Sequence, residues 1–392
     1  MTASHPIPRL LVPRMFYFLL FSALSFVIPY LAIYYEHIGI EEGRIGVLLA
    51  ILPLGALFCA PMWGLIADAT QQHKRLLIVA VIGAIGAMMM VSRTTRFAAL
   101  VPLVMTYAFF ASPIIPLIDN TTLELLGGHR DQYGRQRLWG SVGWGLSSPV
   151  VGLVLDRYGL SWAFHGYCLL MTLVLATAWH LPVSHSRIGI RLGPNLRVIL
   201  ASQQWRYFLA AVYIGGIGLA MMHQYLFLYL NGLGFSKLFM GLMMVVSTGS
   251  EVPVMLGSAW LIARFGTRPL LVLALTLFAL RALAYSYARS GEMFLLIQLM
   301  HGMTFGLLWV AAVSHARSIA PQGMGATAQG LLSGTLLGLG ASSGSIIGGR
   351  LFQTLGPALM YRWASAILLT GLVFLALARR AQTKRRREAS NT

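Results

Sequence analysis

The feature that most restricts what this chain can fold into is a recurring apolar block. Stretches of roughly 20 apolar residues return about every 33 residues along the whole length, and that is what a helix needs to cross a hydrocarbon core of about 30 Å. Over 392 residues the pattern predicts about twelve spans. Their expected positions are 14–35, 45–66, 76–92, 98–126, 138–155, 162–181, 206–230, 239–262, 269–288, 293–316, 327–352 and 362–379. A composition of 57% apolar and 10% charged residues excludes an ordinary soluble globule and leaves no room for a soluble catalytic domain. The stretch 14–35 is too long for a signal peptide and lacks a small-residue cleavage site, so it reads as the first span.

The net charge of +18 arises from 29 Lys and Arg against 11 Asp and Glu. Topology accounts for it: with a cytoplasmic N-terminus, twelve spans put the larger share of the basic residues on the cytoplasmic side. The reading is a multi-pass protein of the cytoplasmic (inner) membrane with both termini inside. The tail Lys384 to Arg387 then meets the anionic inner leaflet rather than nucleic acid. Cys59 and Cys168 both lie in apolar blocks and offer neither a disulfide framework nor a metal motif, and no cofactor is expected.

The chain resembles itself at an offset of 195 residues. Tyr30-Leu31 with Tyr34, Gly39 and Gly46 returns as Tyr225-Leu226 with Tyr229, Gly234 and Gly241, and Gly152 and Gly159 return as Gly349 and Gly356. The expected organisation is an all-α membrane protein of two six-helix halves in parallel repeat, 1–181 and 206–379. A cytoplasmic linker, 182–205, joins them, and 380–392 is a basic tail. Parallel six-span repeats are an architecture of secondary transporters.

The loop after the second span reads Gly64-Leu-Ile-Ala-Asp68-Ala-Thr-Gln-Gln-His73-Lys74-Arg75. It resembles the signature loop of the major facilitator superfamily, with Gln71 where a second glycine is usual. The matching loop of the second half reads Arg264-Phe-Gly266-Thr-Arg268. The resemblance implies gating roles for Asp68, Lys74, Arg75, Arg264 and Arg268. Asp68 would accept hydrogen bonds from neighbouring helix N-termini, while the basic residues anchor the loop at the membrane surface.

A charge at the bilayer centre costs about 2.5 to 3.5 kcal/mol on insertion scales, so ionisable residues within spans are candidates for function. Asp119, Glu124, Glu251 and Arg281 are such residues, joined by His165, His223 and His301. Residues equidistant from the loop joining two antiparallel helices share a depth. Glu251 and Arg281 average to Gly266, Arg281 and His301 to Gly291, and His223 and Glu251 to Lys237, all loop positions, so these four share one layer. Asp119 and Arg137 average to Gly128 and share another, where a carboxylate and a guanidinium can pair. Glu124 reads as a helix-end residue, and His165 has no partner at its depth.

From Pro116 to Gly145 the chain runs Pro-Leu-Ile-Asp119, a polar turn, then Tyr133-Gly-Arg135-Gln-Arg137-Leu-Trp139-Gly-Ser141-Val-Gly-Trp144-Gly. This resembles the hairpin between the fourth and fifth spans of the lactose permease branch, the oligosaccharide:proton symporters, and also the phenylpropionate permease group. The resemblance implies that Asp119 and Arg137 bind solute, with Trp144 stacking on it and Ser141 beside it. In the second half the spacing of Arg264-Phe-Gly266, Arg281 and His301 is kept, implying a coupling arginine and a solute-binding histidine. Two departures stand out: Thr304 occupies the place of the branch's proton-coupling glutamate, and Gln298 that of a lysine. Tyr30, Tyr34, Tyr225 and Tyr229 stand in spans one and seven, which line the cavity in this superfamily, and His223 joins them as a solute-binding candidate.

The functional expectation is proton-coupled uptake of a small organic solute by alternating access, with the proton as coupling ion. Glu251 is the proton carrier and Arg281 and His301 its partners, because no other carboxylate lies at that depth in the second half. Leaving water favours the protonated carboxyl and an adjacent guanidinium the ionised one, so moving the arginine would load and release the proton. The rival is a proton-coupled exporter, from the weak likeness of Gly145-Leu-Ser-Ser-Pro149-Val-Val-Gly152 to a motif of drug antiporters. Catalysis is not expected: the chain has no His-x-Glu-x-x-His run, P-loop or Cys pair. A monomer is the superfamily's usual state.

Overall fold

The computed structural model describes residues 8–129, 132–181 and 195–390. Residues 182–194 of the expected linker lie outside the described residues, as do the side chains of the basic tail from Lys384. Among the described residues every regular element is helical. Among the described residues eleven helical runs are long and apolar enough to cross a membrane: α1 Leu10–His37, α2 Glu42–Thr70, α3 His73–Ser92, α4 Phe97–Leu126, α5 Tyr133–Tyr158, α6 Trp162–His180, α7 Gln203–Gly232, α8 Lys237–Phe265, α9 Thr267–Tyr287, α10 Gly291–Ile319 and α11 Gly325–Thr383. The last of these, at 59 residues, holds two of the twelve expected spans. Spans 327–352 and 362–379 fall in one run, α11, which turns at Gly356 (φ +78°) just before Pro357.

Local chemistry explains the interruptions. Pro29 falls in a tight turn, Ile28–Tyr30, that breaks α1, and Pro113 separates the two segments of α4, because proline lacks an N–H and its ring crowds the preceding turn. In α10 the turn Gly302–Gly306 widens to π geometry, as does Gly334–Gly340 in α11. Such π turns are frequent at functional positions.

The internal repeat reaches the backbone. Residues with positive φ pair off as Gly39 with Gly234, Gln71 with Gly266, Gly127 with Gly323 and Gly159 with Gly356, at offsets of 195, 195, 196 and 197. Gln71 holds φ +54° where its repeat partner is a glycine at +77°, so the loop keeps a conformation that glycine would adopt without strain.

The chain forms two compact units. One comprises Met1–Ile40, Leu54–Ile190 and Leu230–Val245; the other Glu41–Pro53, Arg191–Tyr229 and Val246–Thr392. The opening turns of α2 and α8 thus belong to a different unit from the rest of those helices. In the first unit α1 packs on α5 and α6, and α3 on α4 and α6; in the second α9 packs on α11 and α10. Large apolar side chains point outward, with Leu146, Leu169, Leu256 and Leu296 between 65% and 81% exposed. Outward apolar surface of this kind suits contact with lipid rather than water.

Candidate functional site

The second unit holds a polar cluster around Arg281, which is 1% exposed on α9. One terminal nitrogen donates to His301 Nδ1 and to Thr304 Oγ1, both at 2.9 Å. The other donates to Gln298 Oε1 at 2.8 Å and to the Tyr285 hydroxyl at 3.1 Å, and that hydroxyl also donates to Gln298. Arg281 Nε has no acceptor among the described residues. His301 Nε2 lies 2.7 Å from Glu251 Oε1. An arginine only donates, so His301 Nδ1 must accept, and its single proton sits on Nε2, which donates a hydrogen bond to Glu251. Protonating both ring nitrogens would set two N–H groups of His301 and Arg281 face to face.

Depth reasoning grouped His223, Glu251, Arg281 and His301, and the structure brings the four together. The exposed ring of His223 lies against His301, their centroids 4.9 Å apart. The pairing differs from a direct bond between carboxylate and guanidinium: His301 stands between Arg281 and Glu251. The physical reason is the position of Glu251, about one turn nearer the loop than the family's acid. Gln298 and Thr304, the two departures from the family pattern, are both ligands of Arg281. Neutral acceptors thus hold the cation where a charged pair would stand.

Close backbone packing seats this chain of contacts. A Cβ on Gly302 would fall 2.0 Å from the Ser250 carbonyl, and Gly302 N donates to Ser250 Oγ at 3.0 Å. α10 therefore touches α8 at the residue beside Glu251, and the π turn that begins at Gly302 lets His301 and Thr304 both reach Arg281.

The first unit holds a second cluster. Tyr17 on α1 donates to Asp119 Oδ1 at 2.6 Å. Asp119 and Arg137 do not form the direct ion pair that their depth suggested. The guanidinium carbon of Arg137 instead lies 4.3 Å from the centre of the Phe21 ring and 5.5 Å from that of Tyr17. Aromatic faces attract a cation, and the Tyr17 hydroxyl already occupies one carboxylate oxygen. Ser141 and Trp144 follow on the same face of α5, the first exposed and the second half-buried.

Other expected residues have different surroundings. Tyr30, Tyr34, Tyr225 and Tyr229 are 7% exposed or less. Their hydroxyls go to the backbone carbonyls of Lys237, Ser92, Ser345 and Ala288 respectively. Asp68 Oδ1 is 3.8 Å from His73 Nε2, Gln71 Nε2 donates to the Asp68 carbonyl at 2.7 Å, and Arg75 donates to Gln72 at 3.3 Å. Lys74 and Arg268 are half-buried, and Arg264 is exposed. His165 is exposed and hydrogen-bonds the Ser161 carbonyl at the start of α6 at 3.1 Å, and Glu124 is exposed at the end of α4. Sequence reasoning missed Tyr17 and Tyr285. Tyr285 was readable as the residue one turn after Arg281. Tyr17, distant in sequence from Asp119, carried no local signal.

The backbone matches the solved nucleoside transporter NupG with a TM-score of 0.85 at 16% identity, covering 95% of this chain and 99% of that one. The fold is that of a transporter of the major facilitator superfamily. A sequence model of the MFS_1 like family matches residues 11–363, and the chain belongs to that family. Its relatives include the maltose permease of Geobacillus stearothermophilus, 30% identical over 94% of both chains. The probable 3-phenylpropionic acid transporter of Escherichia coli (strain K12) is 23% identical over 92% of this chain and 95% of its own.

Proposed function

We propose that this transporter takes up a small organic solute, such as a sugar, a nucleoside or an aromatic acid, together with a proton by alternating access. It acts as a monomer in the cytoplasmic membrane with both termini inside, and has no catalytic step. The observation that carries this reading is the relay Arg281 to His301 to Glu251. Glu251 binds the proton. While Arg281 holds His301 through Nδ1, the Nε2–H stabilises the ionised carboxylate; when Arg281 moves away, that support weakens and the carboxylate takes a proton. The Glu251 side chain is 21% exposed, enough for water to deliver one.

Asp119, Arg137 and Trp144 bind the solute. Arg137 lies over an aromatic ring, and its guanidinium N–H groups suit hydroxyl or carboxylate oxygens. The relatives' names fit solutes of these kinds. Asp68 and the basic residues of both signature loops act in gating.

The test is uptake of labelled maltose, uridine and 3-phenylpropionic acid into right-side-out vesicles with an imposed inward proton gradient. Accumulation of one of them that collapses with a protonophore supports the reading. Uptake indifferent to the gradient, or extrusion detected in everted vesicles, contradicts it.

A further inference from the structure

Asp156 closes α5 at one end and is used by nothing described so far. Its two carboxylate oxygens accept the backbone N–H groups of Lys237 and Leu238, at 2.8 and 2.9 Å. Those residues open α8, whose first N–H groups have no partner within their own helix. A carboxylate there gains both the hydrogen bonds and the favourable end of the helix dipole. Tyr30 adds a third contact, its hydroxyl donating to the Lys237 carbonyl at 3.3 Å. The crossing is close: a Cβ on Gly152 would fall 2.2 Å from the Lys237 oxygen, and one on Gly241 would fall 2.3 Å from the Ser148 oxygen.

The internal repeat supplies a comparison within the same molecule. Gly349 approaches the Glu42 carbonyl at the start of α2 as Gly152 approaches Lys237, with 2.5 Å from the would-be Cβ. At the place of Asp156 stands Gln353, which donates to the Glu41 side chain at 3.3 Å. The glycine crossing is thus present twice, while the carboxylate cap belongs to α8. Further along α8, fourteen residues or about 21 Å of helix from Lys237, stands Glu251.

We propose that Asp156, aided by Tyr30, is a gating residue: a clasp that holds the first turn of α8 against α5 and must open during each transport cycle. This rests on the alternating-access reading above. Neutralising the clasp leaves two backbone donors with a weaker acceptor and shifts α8 toward the released state. Asp156→Asn keeps the shape and removes the charge, and Asp156→Glu keeps the charge on a longer arm.

The test uses a single cysteine, Ser148→Cys, beside the crossing in a Cys59→Ser, Cys168→Ser background, and follows its alkylation by a membrane-impermeant maleimide. Losing hydrogen bonds to a charged acceptor predicts labelling about ten-fold faster in Asp156→Asn, with Asp156→Glu closer to the parent. Labelling of Asp156→Asn at the parental rate, with helix content and melting temperature unchanged, overturns the clasp. Should Asp156→Asn fail to fold, Tyr30→Phe decides: faster labelling supports the clasp and an unchanged rate overturns it. The readout needs no solute. A parent whose labelling never responds to any transported solute would therefore count against alternating access, while the difference between parent and variant still judges the clasp.

Discussion

His301 donates its Nε2–H as a hydrogen bond to Glu251 across 2.7 Å, and it can do so because its other ring nitrogen is occupied by an arginine. The tautomer is set by chemistry, since Arg281 has no lone pair to offer. Glu251 is therefore coupled to the buried cation through a neutral ring.

Gln298 and Thr304 hold Arg281 without charge, and this predicts an asymmetry between single and double variants. Gln298→Lys places a second cation beside a guanidinium that is 1% exposed, at a cost on the order of 3–5 kcal/mol for an uncompensated buried charge. The melting temperature in detergent should fall. Adding Thr304→Glu supplies a counter-charge and should recover part of the loss, so the double-variant cycle should show favourable coupling. Simple additivity would contradict the account.

Gly302 and Gly306 bracket the π turn yet should respond differently to the same change. A Cβ at Gly302 meets the Ser250 carbonyl at 2.0 Å, whereas one at Gly306 meets its nearest neighbour, the Glu251 side chain, at 3.8 Å, an ordinary contact. Gly302→Ala should push α10 off α8, part His301 from Glu251 and flatten the pH profile of uptake. Gly306→Ala should keep the parental profile. Comparing uptake from pH 5.5 to 8.5 in the two variants checks this.

Asp119 accepts from Tyr17 at 2.6 Å. Tyr17→Phe removes one donor, a loss of about 1 kcal/mol or a several-fold rise in KM, while Asp119→Asn should cost at least ten-fold, as expected when a charged acceptor is lost. A larger effect from Tyr17→Phe than from Asp119→Asn in uptake kinetics would reverse the assigned roles.

Gln71 occupies a left-handed position at φ +54°. Gln71→Gly relieves roughly 1 kcal/mol of backbone strain and gives up a hydrogen bond of similar worth to the Asp68 carbonyl, so its melting temperature should stay near that of the parent. Gln71→Val loses the bond and keeps the strain with a β-branched side chain, and should melt lower.

The fold was legible because a membrane imposes it: a 20-residue apolar period and a recurring Tyr-Leu, Gly pattern need no tertiary information. The shared layer of His223, Glu251, Arg281 and His301 was legible too, since depth follows from counting residues away from a loop. Orientation does not follow from depth, so the insertion of His301 between Glu251 and Arg281, and the placing of Arg137 over Phe21, are set by side-chain packing that a residue count does not contain. The tyrosines of α1 and α7 illustrate the same limit: the repeat gave their places, but the carbonyls that take their hydroxyls lie far away in sequence. The last two expected spans meet at Gly356-Pro357, where the glycine leaves helical geometry at φ +78°.

The most direct measurement of the central claim is solute-induced proton movement in proteoliposomes, followed with an external pH indicator for the parent and for Glu251→Gln. The solute is whichever of maltose, uridine or 3-phenylpropionic acid the parent accumulates. The account predicts alkalinisation of the medium on adding solute to the parent, and none in Glu251→Gln, which should still exchange labelled for unlabelled solute across the membrane. Proton uptake of parental size in Glu251→Gln would contradict it.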